Sequence, residues 1–286
     1  MDIFTNKNKR RKFMENNLND LVEKAKNGDK AALNDLVKGI QQFIYNLSIR
    51  MLWHPEDAKD ATQEILIKVV TNLGTFRGES SFKTWAYRVA SNYLLTTKKK
   101  FNNHRDISFD EFEQQLSMGL YDSISYSQNE GEQNLLVQEI KIGCSNGMLL
   151  CLDKQNRLIY IIGEILEFTS KIGGEILDIS PELFRKKLSI ARKKIRNFMD
   201  RNCGIVNSKN VCRCYKKIDF AIQNKIIDPH NLLFTSNKEN IKLIESIDKI
   251  ELSAKLFQSN PDYNISEKIL DEISQILEIT QERDRA

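Results

Sequence analysis

Apolar residues recur every three or four positions along most of the chain, and this spacing restricts the structures that the chain can form. Between residues 18 and 53 the pattern makes two runs, which Asn27-Gly28-Asp29 separates. The runs predict a helix, a turn and a long helix. Only 4 Pro and 12 Gly occur among 286 residues, whereas Leu, Ile, Lys and Glu are abundant. This composition favours an all-α fold over a sandwich or a barrel.

Two further helices are predicted before residue 101. Pro55 fits the first turn of one of them, because its missing N–H needs no partner there. The apolar stripe of that helix consists of Ala58, Ala61, Ile65 and Val69. The other helix follows Ser81, a favourable N-cap, and extends to about Lys100. Its apolar face comprises Phe82, Trp85, Ala86, Val89 and Tyr93.

Charge distinguishes the two helices. From Phe82 to Lys100 there are five Lys or Arg and no Asp or Glu, and aromatic residues lie between them. A basic and aromatic helix is typical of nucleic-acid binding. The helix from Pro55 has an acidic face, with Asp57, Asp60 and Glu64 at i, i+3 and i+7 and Gln63 beside them. These residues lack the further ligands of a metal site, which leaves a solvated face or a protein-docking surface.

The charge reverses beyond residue 100. Between Phe101 and Lys141 eight acidic residues stand against two basic ones, among frequent Ser, Gln, Asn and Gly, which predicts an acidic linker. From Lys171 the sequence predicts a helix, a turn ending at Ser180, and a second helix that begins at Pro181. Eight Lys or Arg oppose two acids between Pro181 and Arg201. A helix-turn-helix whose second helix is this basic is typical of duplex DNA binding.

Three cysteines, Cys203, Cys212 and Cys214, lie close together in the sequence. They could supply three ligands of a zinc site, with the fourth from Cys144, Cys151 or His230; unliganded or redox-active thiols are the alternative. No other cofactor is required by any motif. The sequence shows no Ser/His/Asp arrangement, phosphate-binding loop or pair of catalytic carboxylates, so we expect no enzyme. It also has no apolar run of about eighteen residues and no signal-peptide pattern, which predicts a cytoplasmic protein without a membrane partner.

Three stretches before residue 93 together resemble one domain of a known family; they are Asp57-Ala-Lys-Asp-Ala-Thr-Gln-Glu-Ile65, Phe76-Arg-Gly-Glu-Ser-Ser-Phe-Lys-Thr-Trp85 and Tyr87-Arg-Val-Ala-Ser-Asn92. The domain that they resemble is the promoter-melting domain of bacterial extracytoplasmic-function sigma factors. The helix-turn-helix domain of the same family is similar to Cys151-Leu-Asp-Lys-Gln-Asn-Arg-Leu158 and Ile179-Ser-Pro-Glu-Leu-Phe-Arg-Lys-Lys-Leu-Ser189. Three later stretches resemble a subgroup of the family that has a Cys-containing C-terminal extension; they are Cys203-Gly-Ile-Val-Asn207, Cys212-Arg-Cys214 and Asn260-Pro-Asp-Tyr263.

The resemblance implies two helical domains, a linker and an extension, within an all-α fold. The implied parts are a basic N-terminal tail (1–17), a promoter-melting domain (18–100), an acidic linker (101–141), a helix-turn-helix domain (142–201) and a helical C-terminal extension (202–286) that holds the cysteine run. Candidate helices in the extension lie near 218–226, 241–257 and 265–278. The linker would extend toward the RNA exit path of the polymerase.

The resemblance also implies partners and site residues. Core RNA polymerase would be bound through the coiled coil of its beta-prime subunit, by Asp57, Asp60, Gln63 and Glu64. The loop from Phe76 to Ser81 and the next helix would bind the single-stranded minus-ten element through Arg77, Lys83, Trp85, Tyr87, Arg88 and Asn92. The helix from Pro181 would read the minus-thirty-five element in duplex DNA through Ser180, Glu182, Arg185, Lys186, Arg192 and Lys193. An anti-sigma factor or another regulator would be a further partner.

Two other interpretations stay open at this point. A free-standing helix-turn-helix regulator would also bind duplex DNA, but it would not need the acidic helix beside an aromatic basic one. The extension could be a sensor or partner-binding module. The chain departs from the family pattern at Gly173-Gly174, where glycine weakens a helix by about 1 kcal/mol per residue relative to alanine. Ile190 replaces a basic residue, and the segment 208–210 lacks the usual prolines.

Overall fold

The computed structural model describes residues 18–97, 107–123, 125–126, 129–233 and 257–258. Within these ranges the regular structure is helical, apart from one isolated parallel bridge between Cys203 and Cys212. The all-α fold predicted from the sequence is confirmed. The chain divides into two compact units. Of the described residues, unit 1 contains 18–97 and 171–181, and unit 2 contains the others.

The helices have the following bounds. They are α1 (18–26 of the described residues), α2 (Lys30–Leu52), α3 (Pro55–Thr71), α4 (Phe82–Thr96), α5 (Phe109–Ser117), α6 (Glu130–Leu150), α7 (Lys154–Tyr160), α8 (Ser170–Leu177), α9 (Pro181–Asn202) and α10 (Ile218–Gln223). Short 3₁₀ helices occupy Leu73–Thr75 and Cys214–Lys217, and a π-helical turn, Ile161–Ile165, follows α7. The division of the chain into five parts stays a prediction.

Capping residues define the ends of the helices in unit 1. The Asp29 carboxylate accepts hydrogen bonds from the backbone N–H groups of Ala31 and Ala32, both at 3.0 Å, and so begins α2. α2 ends at Leu52 and is followed by the C-cap Trp53, whose φ of 68° is left-handed. Pro55 then occupies the start of α3 as predicted. Ser81 caps α4, since its Oγ accepts from the backbone N–H of Thr84 at 3.1 Å.

The apolar faces of these helices form the core of unit 1. The predicted stripe of α3 is confirmed, because Ala58, Ala61, Ile65 and Val69 are fully buried. The predicted apolar face of α4 is partly wrong. The buried residues of α4 include Phe82, Ala86, Tyr87, Ala90 and Leu94, whereas Trp85, Val89 and Tyr93 are half-buried. Spacing by four residues, with two alanines that permit close helix packing, selects the first set. α4 also ends at Thr96 rather than near Lys100.

Unit 2 is built around α6, α7 and α9. The predicted stripe of α9 is confirmed, because Phe184, Leu188, Ala191, Ile195 and Phe198 are buried. Arg157 joins α7 to the end of α6. Its buried guanidinium donates to the carbonyl oxygens of Leu149, Leu150 and Leu152 at 2.8, 3.1 and 2.9 Å. These carbonyls lie at the C-terminal end of α6 and beyond it, where a helix leaves carbonyl groups without intrahelical donors, and the Leu149 carbonyl also accepts from the Leu152 N–H at 3.1 Å.

The predicted linker contains more structure than its composition indicates. α5 lies wholly inside it, and α6 begins at Glu130, before the predicted linker ends. A capping box starts α5: Glu111 N–H donates to Ser108 Oγ at 3.1 Å, and Ser108 N–H donates to Glu111 Oε2 at 2.8 Å. Phe109 and Phe112 then pack against Phe198, with ring centroids 5.2 and 5.6 Å apart. Two aromatic contacts thus attach α5 to α9, although the charge and polarity of this part of the chain predict a linker.

The first helix predicted in the C-terminal extension corresponds to α10. Almost all of 241–257 and all of 265–278 lie outside the described residues. Of the C-terminal residues that are described, Phe257 is fully buried and packs edge-on against Tyr160 at 5.3 Å. In the described parts of the chain, no helix is long and apolar enough to span a membrane.

Candidate functional surfaces

The acidic residues of α3 lie on one face in unit 1, as their spacing predicts. Asp60 is exposed, and Asp57, Gln63 and Glu64 are half-buried. Asp57 lies in the first turn of the helix, where a negative side chain interacts favourably with the positive end of the helix dipole. These four residues, called here the acidic face, present carboxylates to solvent, and Asp57 among them also stabilises the start of α3.

Tyr93 of α4 lies beside the acidic face, which the sequence did not predict. Burial, and then the negative charges of Glu64 and Asp60, raise the pKa of the Tyr93 hydroxyl. The Lys68 ammonium of α3 lies 5.9 Å from the centroid of the Tyr93 ring. Only the packing of α3 against α4 brings these residues together, since 29 positions separate Glu64 from Tyr93. An aromatic side chain with a polar tip thus extends the acidic face onto α4.

The loop between α3 and α4 is anchored at both ends. Phe76 is buried, and its ring lies 5.4 Å from Phe82 and 5.7 Å from Trp85, so its role is packing. The Lys26 ammonium of α1 donates to the Phe76 carbonyl at 2.6 Å. Between this anchor and the Ser81 cap, residues 77–79 are exposed, and Gly78 has a φ of 74°. The exposed part of the loop, which begins at Arg77, is thus held in place by a rigid aromatic cluster.

The other predicted minus-ten residues occupy different environments on α4. Asn92 is exposed, and Lys83 and Trp85 are half-buried. Lys83 lies 5.4 Å from the centroid of the Phe43 ring. Tyr87 is only 2% exposed and stacks on Phe43 with centroids 4.6 Å apart, so in this structure it is a core residue. The sequence pattern does not reveal this, because Tyr87 lies outside the predicted apolar face.

Arg88 is held by α8. Its Nε donates to the Glu175 carbonyl at 3.0 Å, and its Nη2 lies 3.6 Å from the Glu175 carboxylate. Both side chains keep more than a third of their surface exposed, so the ion pair is weak and salt-sensitive. Arg88 therefore has a protein partner at the position where the resemblance implies a contact with the minus-ten element.

The predicted minus-thirty-five residues are all exposed. They are Ser180, Glu182, Arg185, Lys186, Arg192 and Lys193. Two of the basic residues are paired with acids. Arg185 contacts Glu182 at 3.0 Å, one helical turn away, and Arg192 forms an ion pair with Glu164. Because Lys186 and Lys193 project from the exposed face of α9, they are well placed to contact phosphates.

The structure brings four cysteines into one region of unit 2. The parallel bridge sets Cys203 beside Cys212, and the Gly204 N–H donates to the Cys212 carbonyl at 3.1 Å. Burial raises the pKa of Cys144 well above the usual thiol value, and the neighbouring Cys214, Cys203 and Cys212 add to this shift. Cys151 lies apart, with its Sγ near the Gly147 and Ser108 carbonyls. Of the three candidates for a fourth zinc ligand, Cys144 is therefore the one that lies near Cys203, Cys212 and Cys214.

The arrangement of these thiols does not make a metal site in the described ranges. No group of three or more His, Cys, Asp or Glu side chains there is placed to hold a metal ion. Burial also raises the pKa of Cys212, and the neighbouring Cys203 adds to this shift. The zinc site stays a prediction.

Comparison with known proteins identifies the class of the chain. Residues 36–103, which include α3, the loop and α4, match Sigma-70 region 2. The chain is 35% identical over 181 residues to the ECF RNA polymerase sigma-E factor of Escherichia coli strain K12, covering 62% of this chain and 91% of that protein. The chain therefore belongs to the ECF RNA polymerase sigma factor family.

Two other relatives match different lengths of the chain. The ECF RNA polymerase sigma factor SigW of Bacillus subtilis strain 168 is 27% identical over 185 residues, which are 64% of this chain and 97% of SigW. The RNA polymerase sigma-H factor of Pseudomonas aeruginosa is 44% identical over 72 residues, which are 25% of this chain and 37% of that protein. At least a third of the chain therefore lies outside each of these matches.

Proposed function

We propose that the protein is an alternative sigma factor that binds core RNA polymerase and directs it to promoters. The acidic face carries this proposal. It combines one exposed and three half-buried polar side chains on a single helix, next to a loop and a basic helix within the same unit. A regulator that binds only duplex DNA would have no use for this combination. Membership of the ECF family supports the same conclusion.

The polymerase contact proposed for the acidic face is the coiled coil of the beta-prime subunit. Asp57, Asp60, Gln63 and Glu64 would bind it through charge-assisted hydrogen bonds, which are stronger than those between neutral groups. Tyr93, at the edge of the face, would add an amphipathic contact of the kind enriched at protein interfaces. Because most of these side chains keep part of their surface in water, they would act chiefly on association and specificity.

Promoter opening would be driven by binding free energy and would need no covalent chemistry. The exposed loop at Arg77 would capture an extruded base of the minus-ten element and offset an unstacking cost of a few kcal/mol. Trp85 offers a partly exposed ring for stacking, and Lys83 and Asn92 lie on the same helix. Tyr87 could take part only if the core of unit 1 opened, so we leave it out of the proposed contact surface.

The helix α9 would read the minus-thirty-five element. Its exposed basic residues would contact phosphates, and Glu182 and Arg185 near its N-terminus would reach base edges. The cysteine run supports assignment to a subgroup with a Cys-containing C-terminal extension. An anti-sigma factor and a cytoplasmic location are further expectations for such a factor.

The test of the docking assignment is reversal of charge on the acidic face. We expect the double variant Asp60→Lys with Glu64→Lys to lose binding to core RNA polymerase, measured by native gel shift or interferometry. Duplex binding by the variant should be unchanged. Asp35→Lys, which reverses an exposed charge on α2, is the control and should bind normally. Normal holoenzyme formation by the double variant would refute the docking assignment.

A transcription assay tests the function itself. Core polymerase, this protein and a fragmented genomic library from the same bacterium should yield new transcript starts that share two upstream elements. If starts are absent and the protein binds duplex DNA without associating with polymerase, it is a free-standing regulator instead.

A further inference from the structure

The C-terminal extension binds the last residues of α5 and the residues that follow them. This segment, called here the linker segment, comprises residues 115–123 with Ser125 and Tyr126, and it lies in unit 2 together with the 3₁₀ helix Cys214–Lys217 and α10. The Lys217 ammonium donates to the carbonyl oxygens of Gln115 at 2.9 Å, Leu116 at 3.3 Å and Met118. One cation from the extension thus terminates α5 by satisfying three carbonyl groups at its C-terminal end.

A carboxylate two residues further along holds the other end of the linker segment. Asp219 accepts hydrogen bonds from the Ser125 N–H at 2.8 Å, the Ser125 hydroxyl at 2.6 Å and the Tyr126 N–H at 3.4 Å. Burial would raise the pKa of Asp219, but these hydrogen bonds outweigh burial and lower it. The ionised carboxylate is therefore the form that the linker segment binds.

Further contacts lie between these two anchors. The Tyr121 N–H donates to the Lys216 carbonyl at 3.0 Å, and the Lys216 ammonium pairs with Asp122 at 2.6 Å. Gly119 lies so close to Phe220 that an added Cβ would be 2.1 Å from the ring. Its φ of 59° is also left-handed, which glycine adopts without strain. The extension and the linker segment are thus fitted to each other by shape as well as by charge.

Burial makes this contact costly to break. Lys217 and Asp219 are each only 7% exposed, although both carry charge. A buried charge is stable only while it keeps hydrogen-bonding partners. Among the described residues, the linker segment supplies the hydrogen-bonding partners of both side chains, and the Phe220 ring lies 4.4 Å from the Lys217 ammonium. When the linker segment is released, water has to replace its hydrogen bonds to Lys217 and Asp219. The contact therefore has two states, one with the linker segment bound and one with it released.

We propose that residues 214–223 form an internal clamp on the linker segment and that the clamp restrains this sigma factor from within its own chain. The consequence for transcription rests on the proposed function. In the sequence, the linker segment lies between the helices assigned to the minus-ten and minus-thirty-five elements, so its attachment to the extension limits the arrangements of those helices that polymerase can select. Opening of the clamp raises the competent fraction and hence the apparent affinity for core polymerase.

The experiment compares full-length variants of both sides of the clamp. Asp219→Ala and Lys217→Met remove the anchors, and Ser125→Ala removes one hydroxyl partner from the exposed linker side with little risk to folding. Lys225→Met, an exposed charge loss in the same extension, is the control. Hydrogen–deuterium exchange of the peptide 115–126 reports the clamp, and the dissociation constant for core polymerase reports its consequence.

We expect exchange in 115–126 to accelerate about tenfold in Asp219→Ala and Lys217→Met, because each loses charge-assisted hydrogen bonds. Ser125→Ala should show a smaller increase, and Lys225→Met none. Polymerase affinity should rise in the same order. Unchanged exchange in the anchor variants overturns the clamp. Faster exchange with unchanged or weaker polymerase binding overturns the restraint. If no variant and no wild-type protein binds polymerase, the proposed function fails, and exchange still decides the clamp.

Discussion

Gly174 is a residue for which helix propensity and tertiary packing predict opposite effects of the same substitution. A glycine inside α8 weakens the helix by about 1 kcal/mol relative to alanine, so helix propensity alone predicts that Gly174→Ala stabilises the protein. In the structure, a Cβ at this position would lie 2.7 Å from the Ile179 carbonyl oxygen and 3.3 Å from the Pro181 nitrogen. Both are backbone atoms, which cannot rotate away as the end of a side chain can.

The same turn depends on the backbone of Gly174. The Ile179 N–H donates to the Gly174 carbonyl at 3.0 Å, and Asp178 has a left-handed φ of 53°. This is the common way in which a helix ends and its last carbonyls find donors. Overpacking typically costs about 1–3 kcal/mol, and the rigid neighbours place this site at the upper end. After subtraction of the gain in helix propensity, we expect a net destabilisation of about 1–2 kcal/mol.

Urea unfolding followed by tryptophan fluorescence measures this loss, because Trp53 and Trp85 belong to unit 1 together with residues 171–181. With a slope of about 2 kcal/mol per M, the midpoint should fall by about 0.5–1 M. The matched control is Gly74→Ala, since a Cβ at Gly74 would have nothing within 4 Å. Its effect should stay within about 0.5 kcal/mol. An unchanged or higher midpoint for Gly174→Ala would show that the turn yields, and the steric argument would be wrong.

Two further predictions concern the surface of α9 and the thiols. Replacing both Lys186 and Lys193 with Ala should weaken duplex binding for all sequences and reduce the magnitude of the slope of log K against log[salt] by about 2, as measured by fluorescence anisotropy. An unchanged slope would mean that neither lysine contacts a phosphate. Burial raises the pKa of Cys151 to about 12, so native alkylation at pH 8 should be very slow and should increase about tenfold for each pH unit, as followed by mass spectrometry. Rapid labelling of Cys151 at neutral pH would contradict its burial.

Much of the local structure could be predicted from the sequence. Proline at the start of α3, serine before α4 and the apolar stripes of α3 and α9 all correspond to the structure. These features depend on neighbours within a few positions, because capping and helical periodicity are short-range effects. The resemblance to sigma factors was equally local, since it rests on short stretches of residue types, and the family comparison confirms it.

Long-range packing accounts for the features that the sequence did not predict. Tyr87 was assigned to DNA, yet it is buried and stacks on Phe43 of α2, a contact that depends on how α4 packs against α2. The composition of 101–141 indicated a linker, but aromatic contacts between α5 and Phe198 organise part of it. No pattern within the segment itself could show that its partner lies some ninety positions away.

The sequence by itself therefore determined α1 to α4, α8 and α9, the residues that begin α3 and α4, and the charge of each face, because these depend on a residue and its near neighbours. The tertiary structure alone decided which aromatic residues of α4 are buried and that Tyr93 lies beside the acidic face. It also selected Cys144 as the neighbour of the cysteine run and placed Lys217 and Asp219 on the linker segment. The physical reason is that burial and hydrogen bonding between distant residues depend on how whole helices pack, which residue spacing along one helix does not specify.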